Sequence, residues 1–406
     1  MPKIRKAYKI RLKTNRDNEA ILARYCGSAR FLWNKSLAMN LERLERKQAI
    51  LWYTELAFWL TLWKRSEEYC FLKECPSQVL QQKLRDMERT FRDCFDRDQP
   101  LKRLPVFKKK GRADGIRFPQ GFKIEGRRIF LPKIGWMGFH KSCDIEGKIK
   151  NVTVTTKGGK WYASIQVEQT LDIGKHPSAS EIGMDAGIAC FAAFSDGTKV
   201  EGVNSFRRHE DVLAREQRKL SRKKKGSNNW KKQKRKISRL HLKIADVRSD
   251  FLHKLSTEIC KNHARVYVEG LNIKGMSSSA RGTIEEPGSN IKAKSGLNKS
   301  ILDQGWYEFK RRLEYKLSWQ GGNLVEVDYR GTSQTCSCCG YRAKENRPSQ
   351  AVFKCLACGH EENADVNAAK NILTVGQTGI ACQANRNSGR KQEPARNREG
   401  VLPMAS

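Results

Sequence analysis

The sequence lacks any apolar run long enough to cross a membrane. Its nearest approach, ILWYTELAFWLTLW at residues 50–63, contains Glu55 and falls short of the roughly 18–20 apolar residues that a bilayer-spanning helix needs. No stretch resembles a signal peptide either. These absences predict a buried helix at residues 50–63 and a cytoplasmic protein without a membrane partner.

Acidic residues are scarce beside basic ones. The 406 residues include 79 lysines and arginines but only 43 aspartates and glutamates, so the formal net charge is +36 at pH 7. This balance is rare among metabolic enzymes and predicts a polyanionic partner, most simply nucleic acid. An anionic membrane surface is the alternative, which the absence of membrane-directing segments disfavours.

The chain shows no export signal to accompany its 13 cysteines, so a disulfide framework is not expected. Metal binding is the first other role to consider. Two Cys-x-x-Cys pairs, separated by 15 residues, have the spacing of a tetrahedral zinc site. The four ligands are Cys336, Cys339, Cys355 and Cys358. They close the coordination shell, which predicts one zinc ion with a structural role and leaves Cys338 spare.

Three carboxylates occur where a catalytic metal site would need them. Asp185 interrupts the apolar run EIGMDAGIACFAAF, Glu269 ends the apolar strand RVYVE, and Asp365 lies at the start of the predicted helix NADVNAAKNIL. Taken singly, each has a common structural explanation, such as capping a helix or ending a strand. Taken in this order, they are typical of the metal-binding carboxylates of an RNase H-like fold.

Converging carboxylates repel one another unless cations neutralise them. Two magnesium ions, for which manganese could substitute, would do so and would clamp a phosphodiester for attack by water. We therefore predict that Asp185 is shared between two ions. Three other acids are weaker candidates: Asp196 in a hairpin turn, Asp303 as the cap of the helix that follows it, and Asp328 at a strand end.

The most basic part of the chain is residues 215–243, where fourteen lysines and arginines accompany a single acid, Glu216. Apolar residues from Ile237 to Ile259 recur at steps of three or four, so one helix face can pack while the other contacts phosphates. A solvated charged face is the alternative, but so large an excess would repel itself without a polyanion. We predict nucleic-acid contacts from Arg222, Lys223, Lys224, Lys225, Lys231, Lys232 and Arg235.

Hydrophobic periodicity predicts how the chain is organised. Residues 1–16 and 101–170 alternate as strands do, with a hairpin turn at Gly158-Gly159, and residues 17–100 have a helical period. After a linker at 171–180, the pattern predicts three short strands at 181–203, basic helices at 205–260, a strand at 265–270, a mobile loop at 275–298, a helix at 303–319, a strand at 323–328, a helix at 363–373 and a disordered tail at 376–406.

Several specific motifs extend over nearly the whole chain. They are GSARFLWNKSL (27–37), IGMDAGI, YVEGLNIKGM, WYEFKRRLEYK (306–316), TSQTCSCCG, CLACG and NADVNAAKNI. Together they resemble TnpB, the family of RNA-guided nucleases that small insertion-sequence transposons encode and that is likened to the ancestor of type V CRISPR effectors. The resemblance implies RuvC-type catalytic residues at Asp185, Glu269 and Asp365, and zinc ligands at the four paired cysteines.

The resemblance also implies an α/β multidomain architecture. A β-barrel-like, wedge-like domain (1–16 with 101–170) would carry a helical insertion (17–100). It would precede an RNase H-like, RuvC-type nuclease domain (181–330 with 363–375), into which a zinc ribbon (331–362) is inserted. The expected activity is metal-dependent endonucleolytic cleavage of double-stranded DNA beside a short motif. The expected partner is a guide RNA derived from the transposon end, with one protein chain per RNA.

Three other functions compete with this hypothesis. A guide-dependent DNA-binding repressor would not cut, but all three carboxylates are present. A strand-transfer transposase would use a similar fold and metal pair, and it would need a DNA-binding domain such as a helix-turn-helix, which we do not identify in the sequence. A sugar-kinase-like ATPase also opens with a strand carrying Asp-x-Gly, but it leaves the charge and the cysteine pairs unexplained.

Overall fold

The computed structural model describes residues 3–111, 114–282, 287–328 and 331–388. The chain divides into two units. One contains the residues up to Asp172 together with Leu213–Lys243, and the other contains Ile173–Val212 together with the residues from Ile244 on. Within the described ranges, none of the helices combines the length and the hydrophobicity that crossing a bilayer requires.

The first unit is built on a seven-stranded antiparallel sheet. Its strands are β1 (Lys3–Lys13), β2 (Gly115–Phe118), β3 (Lys123–Glu125), β4 (Arg128–Leu131), β5 (Gly135–His140), β6 (Lys148–Lys157) and β7 (Lys160–Thr170). Their spatial order is β2-β6-β7-β1-β5-β4-β3. No pairing among the described residues joins β2 to β3, so this sheet is open. The family resemblance implies a β-barrel-like domain instead. The hairpin between β6 and β7 is confirmed, with positive φ at both Gly158 and Gly159.

Three α-helices lie between β1 and β2 in the sequence. They are α1 (Arg16–Glu45), α2 (Tyr53–Arg65) and α3 (Ser77–Phe95), with a 3-10 turn at Cys70–Lys73. The α1 helix begins after Asn15, whose side chain accepts a hydrogen bond from the Asn18 backbone N–H at 2.8 Å. The prediction of a buried helix at 50–63 is only half right, because α2 buries Leu56 but leaves Phe58 63% exposed.

The second unit contains a mixed five-stranded sheet. Its strands are β8 (Glu181–Asp185), β9 (Ala192–Phe194), β10 (Lys199–Val200), β11 (Arg265–Glu269) and β12 (Asn323–Val327). Their order is β10-β9-β8-β11-β12. The first three strands are antiparallel, as the sequence predicts, and β11 runs parallel to both β8 and β12. Because β8 and β11 are parallel neighbours, their last residues lie at the same edge of the sheet.

The remaining elements are six helices and a small hairpin. They are α4 (Glu210–Ser221), α5 (Asn228–Asn262), α6 (Ile273–Met276), α7 (Ile291–Gln304), α8 (Trp306–Trp319), α9 (Ala364–Ser388), β13 (Val352–Lys354) and β14 (Glu361–Asn363), with 3-10 turns at Arg207–His209 and Lys344–Asn346. Glycine 305, with a φ of +77°, separates α7 from α8, so the helix predicted at 303–319 begins at Trp306.

Three sequence predictions are wrong in this region. The mobile loop predicted at 275–298 ends where α7 begins, at Ile291. The tail predicted to be disordered from residue 376 is helical as far as Ser388, and its residues 389–406 lie outside the described residues. Asp303 does not cap the helix that follows it. Its buried carboxylate accepts hydrogen bonds from the backbone N–H of Phe206 and pairs with Arg248 at 3.2 Å, which stabilises the turn before α4.

The α9 helix packs closely on the second sheet because small residues line the contact. A Cβ atom added at Gly183 of β8 would lie 2.2 Å from the carbonyl oxygen of Ala369, and one added at Gly376 would lie 2.0 Å from the Tyr267 ring. Ala364 and Ala368 of α9 are also buried, and their small side chains allow the close packing. This packing fixes α9, and therefore Asp365, relative to β8.

Replacing Gly183 with alanine tests this close approach. The new methyl group would meet backbone of α9, which has no flexible end to move aside, so we expect the free energy of unfolding to fall by about 1–3 kcal/mol. Gly296→Ala is the matched control, because Gly296 lies inside α7 with no atom within 4 Å of an added Cβ. Denaturant titration of the two variants checks the prediction, and equal stabilities would contradict it.

Candidate metal centres

Asp185 is the last residue of β8 and follows the buried Ile182 and Met184. Its side chain is half-buried. Burial raises the pKa of Asp185 to about 7, and the negative charges of Glu269 and Asp365 add to the effect. Glu269 and Asp365 are therefore close enough to Asp185 to interact with it electrostatically.

Glu269 ends β11 one position beyond the pair formed by Val268 and Met184, which places it beside Asp185 at the edge of the sheet. Burial raises the pKa of this carboxyl group as well, and the hydroxyl of Thr332 opposes the rise by donating a hydrogen bond to Oε1 at 3.0 Å. Burial of two carboxylates at one sheet edge is unfavourable unless a cation is supplied.

Asp365 lies in the first turn of α9 but does not cap the helix. That role belongs to Asn363, whose side-chain oxygen accepts hydrogen bonds from the backbone N–H groups of Asp365 at 3.2 Å and Val366 at 3.3 Å. The Asp365 carboxylate instead pairs with the guanidinium of Arg347 at 3.1 Å. Because Asn363 caps α9, helix capping does not account for Asp365. The partner of its carboxylate is a cationic side chain, Arg347.

The chemistry of these three side chains suits a hard divalent cation, because magnesium and manganese prefer carboxylate oxygens. The positive charge of Arg347 lowers the pKa of Asp185, but burial and the two neighbouring carboxylates outweigh it. No choice of one oxygen from each of the three carboxylates brings all three within 4.8 Å of one another. Across the described ranges, only the four cysteines form a set of three or more candidate ligands whose atoms all lie within 4.8 Å of one another.

The four paired cysteines form a tight sulfur cluster. Their Sγ atoms are 3.7 Å apart for Cys336 and Cys358, and 3.6 Å apart for Cys339 and Cys355. Zinc–sulfur bonds of about 2.3 Å in a tetrahedron place the sulfurs about 3.8 Å apart, so the cluster fits zinc. Cys338 is exposed and is not a member of the cluster.

The backbone around each cysteine pair forms the same turn twice. The N–H of Gly340 donates to the carbonyl of Cys336 at 2.9 Å, and the N–H of Gly359 donates to the carbonyl of Cys355 at 3.0 Å. Both glycines have positive φ, +78° and +72°, which a residue with a Cβ rarely adopts. The repeated turn explains why a glycine follows each Cys-x-x-Cys pair.

A set of polar residues that is not predicted from the sequence connects the two candidate metal centres. Asn367 and Asn371 lie one turn apart on α9 and are buried. Their amides hydrogen-bond to the backbone of residues 332–337, just before and within the first cysteine pair. Two asparagines four residues apart, on the same helix face as buried alanines, could have indicated such contacts, because a buried amide needs hydrogen-bond partners. Thr332 and Arg347 lie in irregular segments and gave no comparable signal.

The predicted nucleic-acid contacts lie on the loop between α4 and α5 and on the first turns of α5. All seven side chains are exposed except that of Lys223, which is half-buried. The one acid of the stretch, Glu216, is 3% exposed, and hydrogen bonds from Gln233 and Lys236 lower its pKa to about 2. Glu216 thus joins α4 to α5 while the cations around it face solvent.

Family models match three parts of the chain. Residues 164–280 match a family described as a probable transposase, residues 306–372 match a Cas12f1-like TNB domain, and residues 1–49 match a helix-turn-helix domain. No helix-turn-helix is identified from the sequence. In the structure, residues 3–45 form one strand, β1, and one long helix, α1.

A protein of Escherichia coli (strain K12), named "Putative RNA-guided DNA endonuclease InsQ", is 49% identical over 392 residues, 96% of this chain and 97% of that protein. A "Putative RNA-guided DNA endonuclease" of Streptomyces pristinaespiralis is 32% identical over 99% of both chains. A solved structure of a Cas12f1 complex with sgRNA and target DNA covers 91% of this chain and 98% of its own, with a TM-score of 0.52 and 14% identity, which shows a shared fold.

The protein is therefore of the class that transposons of the IS605 type encode. The chain belongs to the TnpB family, as its motifs indicate.

The raised pKa of Asp185 gives a pH-dependent prediction for the protein without divalent cations. The folded chain holds this proton up to about pH 7, and an unfolded aspartate releases it near pH 4, so the charge destabilises the fold increasingly across that interval. Asp185→Asn removes the charge. We expect its gain in melting temperature over the natural protein to grow from pH 4 to pH 7 and then to level off.

Thermal melting at pH 4, 6 and 8 measures this gain. Asp196→Asn is the control, because Asp196 lies in an exposed hairpin turn away from the other carboxylates. A gain for Asp185→Asn that does not change with pH would show that the carboxylate is not destabilised by burial and repulsion.

Proposed function

We propose that this protein is an RNA-guided DNA endonuclease that cleaves target DNA by hydrolysis in a two-metal RuvC-type site. The observation that carries the proposal is the electrostatic interaction of Asp185 with Glu269 and Asp365, each on a different element, in a chain of the TnpB family. The strand order supports an RNase H-like class for the second unit, since three antiparallel strands are followed by two parallel ones. Relatives named as endonucleases support the same activity.

The carboxylates would hold two magnesium ions, which supply the charge that activates a water molecule and stabilises the leaving oxygen. Asp185, whose carboxyl group interacts with the charges of both Glu269 and Asp365, would bind both ions. Because its pKa is raised to about 7, a cation would have to displace a proton from this carboxyl group at neutral pH. The hydrogen bond from Thr332 restrains the rotation of the Glu269 carboxylate, whose oxygens keep lone pairs with which they would bind a cation.

Four further assignments belong to the proposal. One zinc ion held by the four cysteines would have a structural role, because the thiolates fill its tetrahedral shell. The exposed cations Arg222, Lys223, Lys224, Lys225, Lys231, Lys232 and Arg235 would contact nucleic-acid phosphates. The β domain and its helical insertion would hold the RNA and recognise a short motif on the DNA. One chain would bind one RNA derived from the transposon end, and pairing of that RNA with DNA would supply the sequence specificity.

The first experiment is to express the protein together with its native downstream flanking DNA, purify it and sequence the RNA that accompanies it. We expect one abundant RNA that ends just beyond the transposon, and cleavage of matching DNA by the purified complex in magnesium. Heterogeneous RNA, or none, would favour a strand-transfer transposase. Guided binding without cleavage would favour the repressor.

Replacing each carboxylate separates cleavage from binding. We expect Asp185→Ala, Glu269→Ala and Asp365→Ala each to abolish magnesium-dependent cleavage and to leave RNA binding unchanged, because the three ligands are distant in sequence from the basic stretch at 215–243. Gel-based cleavage and RNA filter binding measure the two activities. Asp196→Asn again serves as the control. Full cleavage by any one of the three variants would exclude that residue from the mechanism.

Removing charge from the exposed loop tests the proposed phosphate contacts. We expect Lys223→Ala, Lys224→Ala and Lys225→Ala, combined in one protein, to weaken RNA binding and to reduce its salt dependence by about one unit of log–log slope per lost contact. Lys254→Ala with Lys261→Ala, two exposed lysines farther along α5, is the control. An unchanged slope would mean that these lysines only face solvent.

A further inference from the structure

The segment between β12 and α9 contains all four cysteines of the sulfur cluster. Two asparagines of α9 bind this segment through hydrogen bonds. The amide of Asn367 donates to the Thr335 carbonyl at 2.8 Å, and its oxygen accepts from the Ser337 N–H at 2.9 Å. The amide of Asn371 donates to the carbonyls of Thr332 at 2.8 Å and Thr335 at 2.7 Å. Asn367 is 0% exposed and Asn371 is 7% exposed, so water cannot replace these hydrogen bonds.

The same segment contacts two of the three candidate catalytic carboxylates. Thr332 donates its hydroxyl to Glu269 at 3.0 Å, and its own carbonyl is one of the two that Asn371 binds. Arg347, between the two cysteine pairs in sequence, binds Asp365 at 3.1 Å. The segment therefore extends from the sulfur cluster to both Glu269 and Asp365 through direct contacts.

We propose that Asn371 and Asn367 are positioning residues, which use the zinc-held shape of residues 331–363 to orient Glu269 and Asp365 for binding divalent cations. The inference rests on the proposed function only in taking the three carboxylates as a metal site. Zinc would then influence cleavage without touching the reacting phosphate. A Thr332 backbone released from Asn371 would no longer direct its hydroxyl at Glu269, and Glu269 could then turn away from the negative charge of Asp185.

The test measures cation binding, not cleavage, and needs no nucleic acid. Manganese binding to the purified protein is followed by electron paramagnetic resonance, zinc per chain by mass spectrometry, and folding by circular dichroism. Asn371→Asp removes both amide donors at nearly constant shape, and Thr332→Val removes only the hydroxyl. Thr374→Val is the control, because Thr374 is exposed on the same helix and donates to the Lys370 carbonyl of that helix.

We expect Asn371→Asp and Thr332→Val to keep one zinc per chain and to bind manganese about tenfold more weakly, with Thr374→Val unchanged. Cys358→Ser should lose zinc and weaken manganese binding to the same extent. If the asparagine variant does not fold, Thr332→Val decides alone, since it removes only a hydroxyl group. Natural manganese affinity in Thr332→Val and in a folded Asn371→Asp or Cys358→Ser would overturn the proposal.

The two proposals can fail separately. A natural protein that cleaves guided targets, with variants that bind manganese normally, would refute the positioning role alone. A natural protein without guided cleavage, in which Asn371→Asp still weakens manganese binding, would refute the proposed function and support the positioning role. Natural protein that shows no manganese binding dependent on Asp185 would overturn the positioning role directly.

Discussion

Repulsion among three carboxylates is the constraint on which the second unit depends. Asp365 pairs with Arg347, and burial together with the negative charges of Glu269 and Asp365 raises the pKa of Asp185 to about 7. A fold that tolerates this arrangement has to obtain the necessary stability elsewhere. Here that stability comes from the close packing of α9 on β8 and β11 and from the hydrogen bonds of its buried asparagines.

The elements that position the carboxylates are distant in sequence, and each makes a different structural contribution. The parallel pairing of β8 and β11 aligns two strand ends through the register of their backbones. Glycine 183 removes the side chain that would keep α9 away from the sheet. Asn363 satisfies the first N–H groups of α9, so that Asp365 does not have to. The carboxylate is thereby released from a structural task that aspartate commonly performs at a helix start.

Much of this arrangement could be predicted from the sequence, where spacing and periodicity reflect local geometry. The cysteine spacing, the glycine hairpin of the first sheet and the three short strands before residue 203 are of this kind. The supporting contacts could not be predicted in the same way. Thr332 and Arg347 lie in irregular segments without periodicity, and their partners are 63 and 18 residues away. The length of α9 was also missed, because its polar second half looks unstructured until Gly376 is seen against Tyr267.

The position of α9 along the chain has a consequence for protein synthesis. Asp365 is the last of the three carboxylates to leave the ribosome, after the basic stretch at 215–243 and after both cysteine pairs. A nascent or truncated chain that ends before α9 therefore carries the cations proposed for nucleic-acid binding but lacks one carboxylate and both asparagine contacts. On this topology the capacity to bind a polyanion arises before the capacity to cut one.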